Sequence, residues 1–206
     1  VDLDTHLFFF LHRGLSGWIG PMVVLSVIGG GWGSLLVVPL VAARRTRRLG
    51  ASMAAVLAST AVLVFVLKRI VARARPFSVL AGVQARAFDP PTDYSFPSGH
   101  AAGSFAFAVF LAIVLVRTAS SEASARERRS RTLGAIALTL LAAGVALSRV
   151  ALGVHFPGDV LAGALLGSAI GAAGAHLYLR GPEIRGAGRL CLRRRGPSGQ
   201  TTRRAA

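Results

Sequence analysis

Long stretches with almost no charge leave this chain few ways to fold. Residues 16–43, 51–67, 101–116, 133–147 and 160–179 are blocks of apolar residues, and 53% of the 206 residues are hydrophobic. A helix crossing the hydrocarbon of a bilayer needs about 20 residues, with a usual range of roughly 17–25. The first, second and fifth blocks reach that length. The third and fourth reach it only if residues 98–100 and 148–149 also lie at the membrane boundary. No stretch alternates with the two-residue period of a strand. The expected fold is therefore all-α: a polytopic membrane helix bundle with about five transmembrane helices. Residues 4–14 are expected to add an N-terminal interfacial helix. Their apolar centre, residues 7–11, is too short for the h-region of a signal peptide, and Asp2, Asp4, His6, His12 and Arg13 surround it. The first residue is Val rather than Met, which leaves room for a preceding segment.

Charge gives the expected orientation. With five spans the loops alternate sides. One side collects seventeen arginines against three glutamates, a net +14; the other holds seven cations against five aspartates, a net +2. Short cytoplasmic loops retain Arg and Lys, so the +14 face is expected in the cytoplasm and the N-terminus outside. Residues 1–180 are read as one membrane-embedded domain, and residues 181–206 as a basic, disordered cytoplasmic tail. The tail arginines suit anionic lipid headgroups better than nucleic acid, which is not expected as a partner. The single cysteine, Cys191, excludes an internal disulfide.

Three polar clusters interrupt the apolar blocks: Lys68 with Arg75-Pro76, Pro97-Ser98-Gly99-His100, and Ser148-Arg149 with His155 and Asp159. Lys68 follows the second span, Ser98 to His100 precede the third, Arg149 follows the fourth, and His155 and Asp159 lead into the fifth. Alternating spans bring all of these to the less basic face. Titratable groups at that depth are costly and usually functional. Together they supply three fixed cations, two imidazoles and a carboxylate, a set suited to phosphate. Arg75 and Arg149 offer planar forks, whereas Lys68, the only lysine among twenty-four cations, offers a rotating point charge. Pro97-Ser98-Gly99 before a helix places free N–H groups at the positive end of its dipole. The blander reading is that Ser98 simply caps that helix. Two histidines and an aspartate also form a set that binds zinc or iron, against which stand the three nearby cations.

The segments "KRIVARARP", "PSGH" and "SRVALGVHFPGD" resemble the three-part signature of the type 2 phosphatidic acid phosphatase superfamily, which also contains soluble vanadium haloperoxidases. The resemblance covers residues 60–175. It implies metal-independent phosphoryl transfer without a cofactor. His155 would be the nucleophile, forming a phosphohistidine, and Asp159 would hold its imidazole in the attacking tautomer. His100 would protonate the leaving oxygen and then activate water. Lys68, Arg75, Arg149 and the Ser98–Gly99 region would bind the equatorial oxygens. Ser148 is expected to support Arg149, and Pro76 to shape the loop. Many membrane members have six spans, so five is a departure at the N-terminal end.

A phosphate site at the outer boundary of the cell membrane would reach lipid-linked phosphates. The expected substrate is a lipid pyrophosphate or monophosphate, best matched by undecaprenyl pyrophosphate, since the short architecture resembles that subgroup. Phosphatidylglycerophosphate, phosphatidic acid and diacylglycerol pyrophosphate remain alternatives, as do vanadate-dependent halide oxidation and a non-enzymatic lipid flippase or transporter. Phe77, Phe88, Tyr94 and Phe96 are placed in a loop beside the site, where they would either line a lipid entrance or pack within the loop. The stripe Gly163-x3-Gly167-x3-Gly171 is expected to pack inside the bundle.

Overall fold

The computed structural model describes residues 2–30, 35, 37–87, 89–120 and 122–181. Phe88, Cys191 and the basic tail beyond residue 181 lie outside these described residues. The described chain is helical: α1 (Leu3–Gly14), α2 (Ile19–Ile28), α3 (Val37–Ala42), α4 (Arg47–Val71), α5 (Pro76–Val79), α6 (Gly99–Arg117), α7 (Ala125–Ala151) and α8 (Pro157–Leu179). Four stretches are long and apolar enough to cross a membrane: Arg47–Val79, Gly99–Arg117, Ala125–Ala151 and Pro157–Leu179. A fifth arises if Leu3–Gly14 and Ser16–Ile28, bent by 55° at their junction, count as one span.

The first apolar block departs from the expected single helix. α2 stops at Ile28 with Gly29 as its C-cap, and only α3 resumes within the block. The cause is in the sequence, where Gly29, Gly30, Gly31 and Gly33 fall within five residues. Each glycine in a helix interior costs up to about 1 kcal/mol relative to alanine. The N-terminal helix also does more than lie at an interface. Phe8 of α1 is fully buried with Val83, Val150 and Phe156, so α1 is docked onto the corner between α7 and α8.

Helix ends follow local chemistry. Ser124 accepts from the Glu127 N–H at the start of α7, the S-x-x-E pattern of a helix start. α8 has Pro157 in its first turn, where the missing N–H is no loss. α4 ends on Ala72 in the left-handed region (φ 49°, ψ 35°), whose N–H returns to the Lys68 carbonyl.

α6 lies at the centre, flanked by α4, α7 and α8. The glycine stripe of α8 faces α6, as expected. A Cβ added at Gly163, Gly167 or Gly171 would stand 2.5, 2.0 or 2.5 Å from the carbonyl oxygens of Ser98, Ala102 and Ala106. The two backbones are therefore in direct contact over two turns, a packing that small residues make possible between membrane helices. Leu140, Leu161, Leu165 and Leu177 point outward and are exposed, as lipid-facing side chains would be.

Gly167→Ala should lower the thermal unfolding midpoint in detergent, with an overpacking cost of about 1–3 kcal/mol. Gly134→Ala is the control: nothing lies within 4 Å of its added Cβ, and the midpoint should hold or rise.

Candidate active site

The contact of α6 with α8 sets the site. Ser98 and Asp159 stand at the starts of these two helices, and the Ser98 N–H donates to the Asp159 carbonyl at 3.0 Å. The Asp159 side chain is fully buried. Its Oδ2 accepts from the Phe156 N–H at 2.9 Å and from Ser95 Oγ at 2.5 Å, and its Oδ1 accepts from Arg73 Nη1 at 2.7 Å.

His155 sits in the short connection between α7 and α8 and is 2% exposed. Its Nδ1 is 3.7 Å from Asp159 Oδ2, beyond hydrogen-bonding distance. Ser95 stands between them, with its Oγ 3.4 Å from Nδ1. Because Ser95 gives its proton to the carboxylate, its oxygen is left to accept from an Nδ1–H. That tautomer places the lone pair on Nε2, which lies 3.2 Å from Arg75 Nη1. Burial pushes the His155 pKa down to about 4; Arg75 and Arg149 act in the same direction, against Asp159. The imidazole is therefore neutral at neutral pH, the form that can act as a nucleophile.

Arg75 is almost wholly enclosed. Besides His155, it donates from Nη1 to the Val154 carbonyl at 2.8 Å, and from Nε to the Asp93 carbonyl at 2.8 Å. Nη2 reaches Asp93 Oδ1 at 2.5 Å. Lys68 Nζ pairs with Asp93 Oδ2 at 2.9 Å and donates to the Tyr94 carbonyl. Arg149 is buried and donates from Nη1 to Ser26 Oγ of α2. His100, in the first turn of α6, makes no side-chain hydrogen bond among the described residues but lies within electrostatic reach of Arg149, His155, Arg75 and Lys68.

All eight expected residues thus gather at one end of the bundle. Lys68 and Arg75 share Asp93, Arg75 touches His155, and Ser98, followed by Gly99, is tied to Asp159. Two details concern Ser98 and Arg149. Ser98 Oγ does not cap α6, so the capping explanation fails. Ser98 Oγ and Arg149 Nε are both buried without a hydrogen-bond partner among the described residues. Ser148, expected to support Arg149, instead donates to the Val145 carbonyl at 2.6 Å.

Sequence reasoning missed Ser95, Asp93, Ser26 and the contacts of Arg73 and Asp4 on the far side of Asp159. There Arg73 donates from Nη2 to Asp4 Oδ2 at 2.7 Å, and Asp4 Oδ1 accepts from the Gly158 N–H at 2.7 Å. The one available signal was Arg73-x-Arg75. In an extended segment, residues two apart share a side, and both arginines turn to the centre.

In an NMR titration of histidine-labelled protein, one imidazole should titrate near pH 4 and disappear in His155→Gln. The sign for stability follows. Between about pH 6.5 and 4 the unfolded chain binds this proton and the folded chain does not, so His155 should make the protein less stable as pH falls through that window.

Residues 49–181 match the PAP2 superfamily. An undecaprenyl-diphosphatase from Sulfolobus acidocaldarius is 34% identical over 165 residues, covering 79% of this chain and 72% of the relative. A decaprenylphosphoryl-5-phosphoribose phosphatase from Mycobacterium tuberculosis is 33% identical over 145 residues, covering 69% and 68%. The fold resembles a PAP2-type phosphatidylglycerolphosphate phosphatase from Bacillus subtilis, with a TM-score of 0.64, 23% identity and coverage of 84% of this chain and 93% of that one. It also resembles Aquifex aeolicus LpxE, with a TM-score of 0.63, 25% identity and coverage of 84% and 95%. A match over so much of the chain, together with these relatives, makes this protein a membrane phosphatase of the PAP2 superfamily.

Proposed function

We propose that this enzyme removes the terminal phosphate of a polyprenyl phosphate or diphosphate at the outer face of the cell membrane, with undecaprenyl pyrophosphate as the best-matched substrate. The observation that carries this reading is the pair of buried donors without a partner among the described residues, Ser98 Oγ and Arg149 Nε, in the same cluster as Lys68, Arg75 and the Nε2 of His155. Buried polar atoms are normally satisfied, and a tetrahedral anion would satisfy both. The reaction class follows from the family.

In the proposed chemistry, the Nε2 lone pair of His155 attacks phosphorus as the bond to the leaving oxygen breaks. His100 supplies that oxygen with a proton. Water then attacks the phosphohistidine with His100 as base, the P–N bond breaks, and phosphate leaves. Lys68, Arg75, Arg149, Ser98 and the Gly99 N–H hold the three equatorial oxygens as their charge grows. Asp159, through Ser95, keeps the proton on Nδ1. No metal or cofactor has a part in these steps.

The lipid assignment draws on a second feature. A cavity of ≈ 390 Å³ opens beside His100, lined by Ile28, Leu57, Phe107, Leu141 and Val145 among others. An apolar chamber next to the proton donor suits the first isoprene units of the leaving group. The named activities of the two sequence relatives both concern polyprenyl-linked phosphates. The second of them favours a variant of the reading, a phosphate monoester on a lipid-linked sugar. The charge distribution, with +14 on the opposite side, supports a cytoplasmic tail and an outward-facing site.

Purified protein in detergent with chelator should release phosphate from undecaprenyl pyrophosphate faster than from phosphatidic acid or phosphatidylglycerophosphate. The reverse order would reassign the substrate, and no release from any of them would end the proposal. His155→Ala should lower kcat by about 10⁴-fold or more, as loss of a nucleophile does; a lipid transporter would survive that change. Ser95→Ala should lower kcat with little change in KM, by roughly 10-fold to 100-fold, and should shift the acid limb of the pH profile.

A further inference from the structure

The two cations assigned to the phosphate oxygens already hold an anion belonging to the protein. Asp93 bridges them, with Oδ2 at 2.9 Å from Lys68 Nζ and Oδ1 at 2.5 Å from Arg75 Nη2. A carboxylate presents two oxygens much as a phosphate does, and one group can stand in for the other on such a pair. The exposures are unequal: Arg75 and Lys68 are 5% and 11% exposed, whereas the Asp93 side chain is 56% exposed. The carboxylate can therefore swing into water while the cations stay in place. They are kept there by backbone oxygens of the same loop, the Asp93 carbonyl on Arg75 and the Tyr94 carbonyl on Lys68.

Asp93 is charged when it does this. Burial alone would raise its pKa, but the contacts with Lys68 and Arg75 outweigh burial and lower it. The carboxylate leaves other donors untouched, since Ser98 Oγ and Arg149 Nε have no partner among the described residues. An incoming ligand must give up the energy of the displaced pair and recover it from these additional donors.

Resting on the reading of Lys68 and Arg75 as phosphate ligands, we propose that Asp93 sets the affinity of the site as a tethered anion that competes with every ligand for the same two cations. Its effect is a threshold. A competitor fixed to the protein reduces the apparent affinity of all ligands by one common factor, the fraction of protein in which the site is open. A terminal phosphate with two charges and three free oxygens engages Arg149 and Ser98 as well and stays above the threshold. A phosphodiester headgroup has one charge and two free oxygens and falls below it. The common factor lowers occupancy by every ligand alike, and the ratio between monoester and diester is left to Arg149 and Ser98. The same carboxylate would help to eject the phosphate product.

The test compares wild type with Asp93→Asn and Asp93→Ala in detergent micelles. Inhibition constants are measured for inorganic phosphate and for diethyl phosphate, a monoanionic diester, and phosphate binding is also followed directly by calorimetry. Both inhibition constants should fall in both variants by a similar factor, roughly twofold to fivefold, the effect expected for a half-exposed ion pair. Unchanged or raised constants, with phosphate still binding to wild type, would overturn the proposal and leave Asp93 as a support for Lys68 and Arg75. If wild type itself binds no phosphate, the assignment of Lys68 and Arg75 falls, and this inference with it.

Discussion

Two helices in backbone contact hold this molecule's chemistry in register. Where Gly163, Gly167 and Gly171 of α8 meet the carbonyls of α6, no side chain intervenes to let one helix slide along the other. The start of α6 carries Ser98, Gly99 and His100, and the start of α8 carries Asp159, with His155 just before it. A shift of one turn would separate these groups by about 5.4 Å and break the Ser98–Asp159 link. In a bilayer the hydrophobic effect does not press helices together, so close packing and the polar links at the helix ends have to fix the register.

Within that frame the arrangement of charge is unusual for the end of a membrane helix bundle. Lys68, Arg75 and Arg149 are all buried or nearly so, and their mutual repulsion favours an anion among them. Asp93 supplies one charge on one side, while Asp159 faces Arg73 on the other. Acidic partners thus flank the cluster without neutralising it. The remaining imbalance is what a phosphoryl group, whose charge spreads over three oxygens in the transition state, can exploit.

Much of this was readable in the residues themselves. Span ends carry the polar clusters, and alternation of the spans is enough to bring Lys68, Ser98, Arg149 and His155 to one face. The glycine stripe likewise announced a close helix contact. What could not be read were partners whose roles depend on loop paths. Ser95 resembles any loop serine until the chain brings its hydroxyl between His155 and Asp159. Asp93 and Tyr94 act partly through carbonyl oxygens, which every residue carries. The break after Ile28 lay hidden inside a block whose composition suited a span, although its glycines were in plain view.

The contact of Asp4 with both Arg73 and the Gly158 N–H links the amino-terminal helix to the buried carboxylate behind His155. That edge of the molecule is therefore a poor handle for manipulation. An affinity tag or a fluorescent fusion placed there would tug on Asp159 across only two side chains.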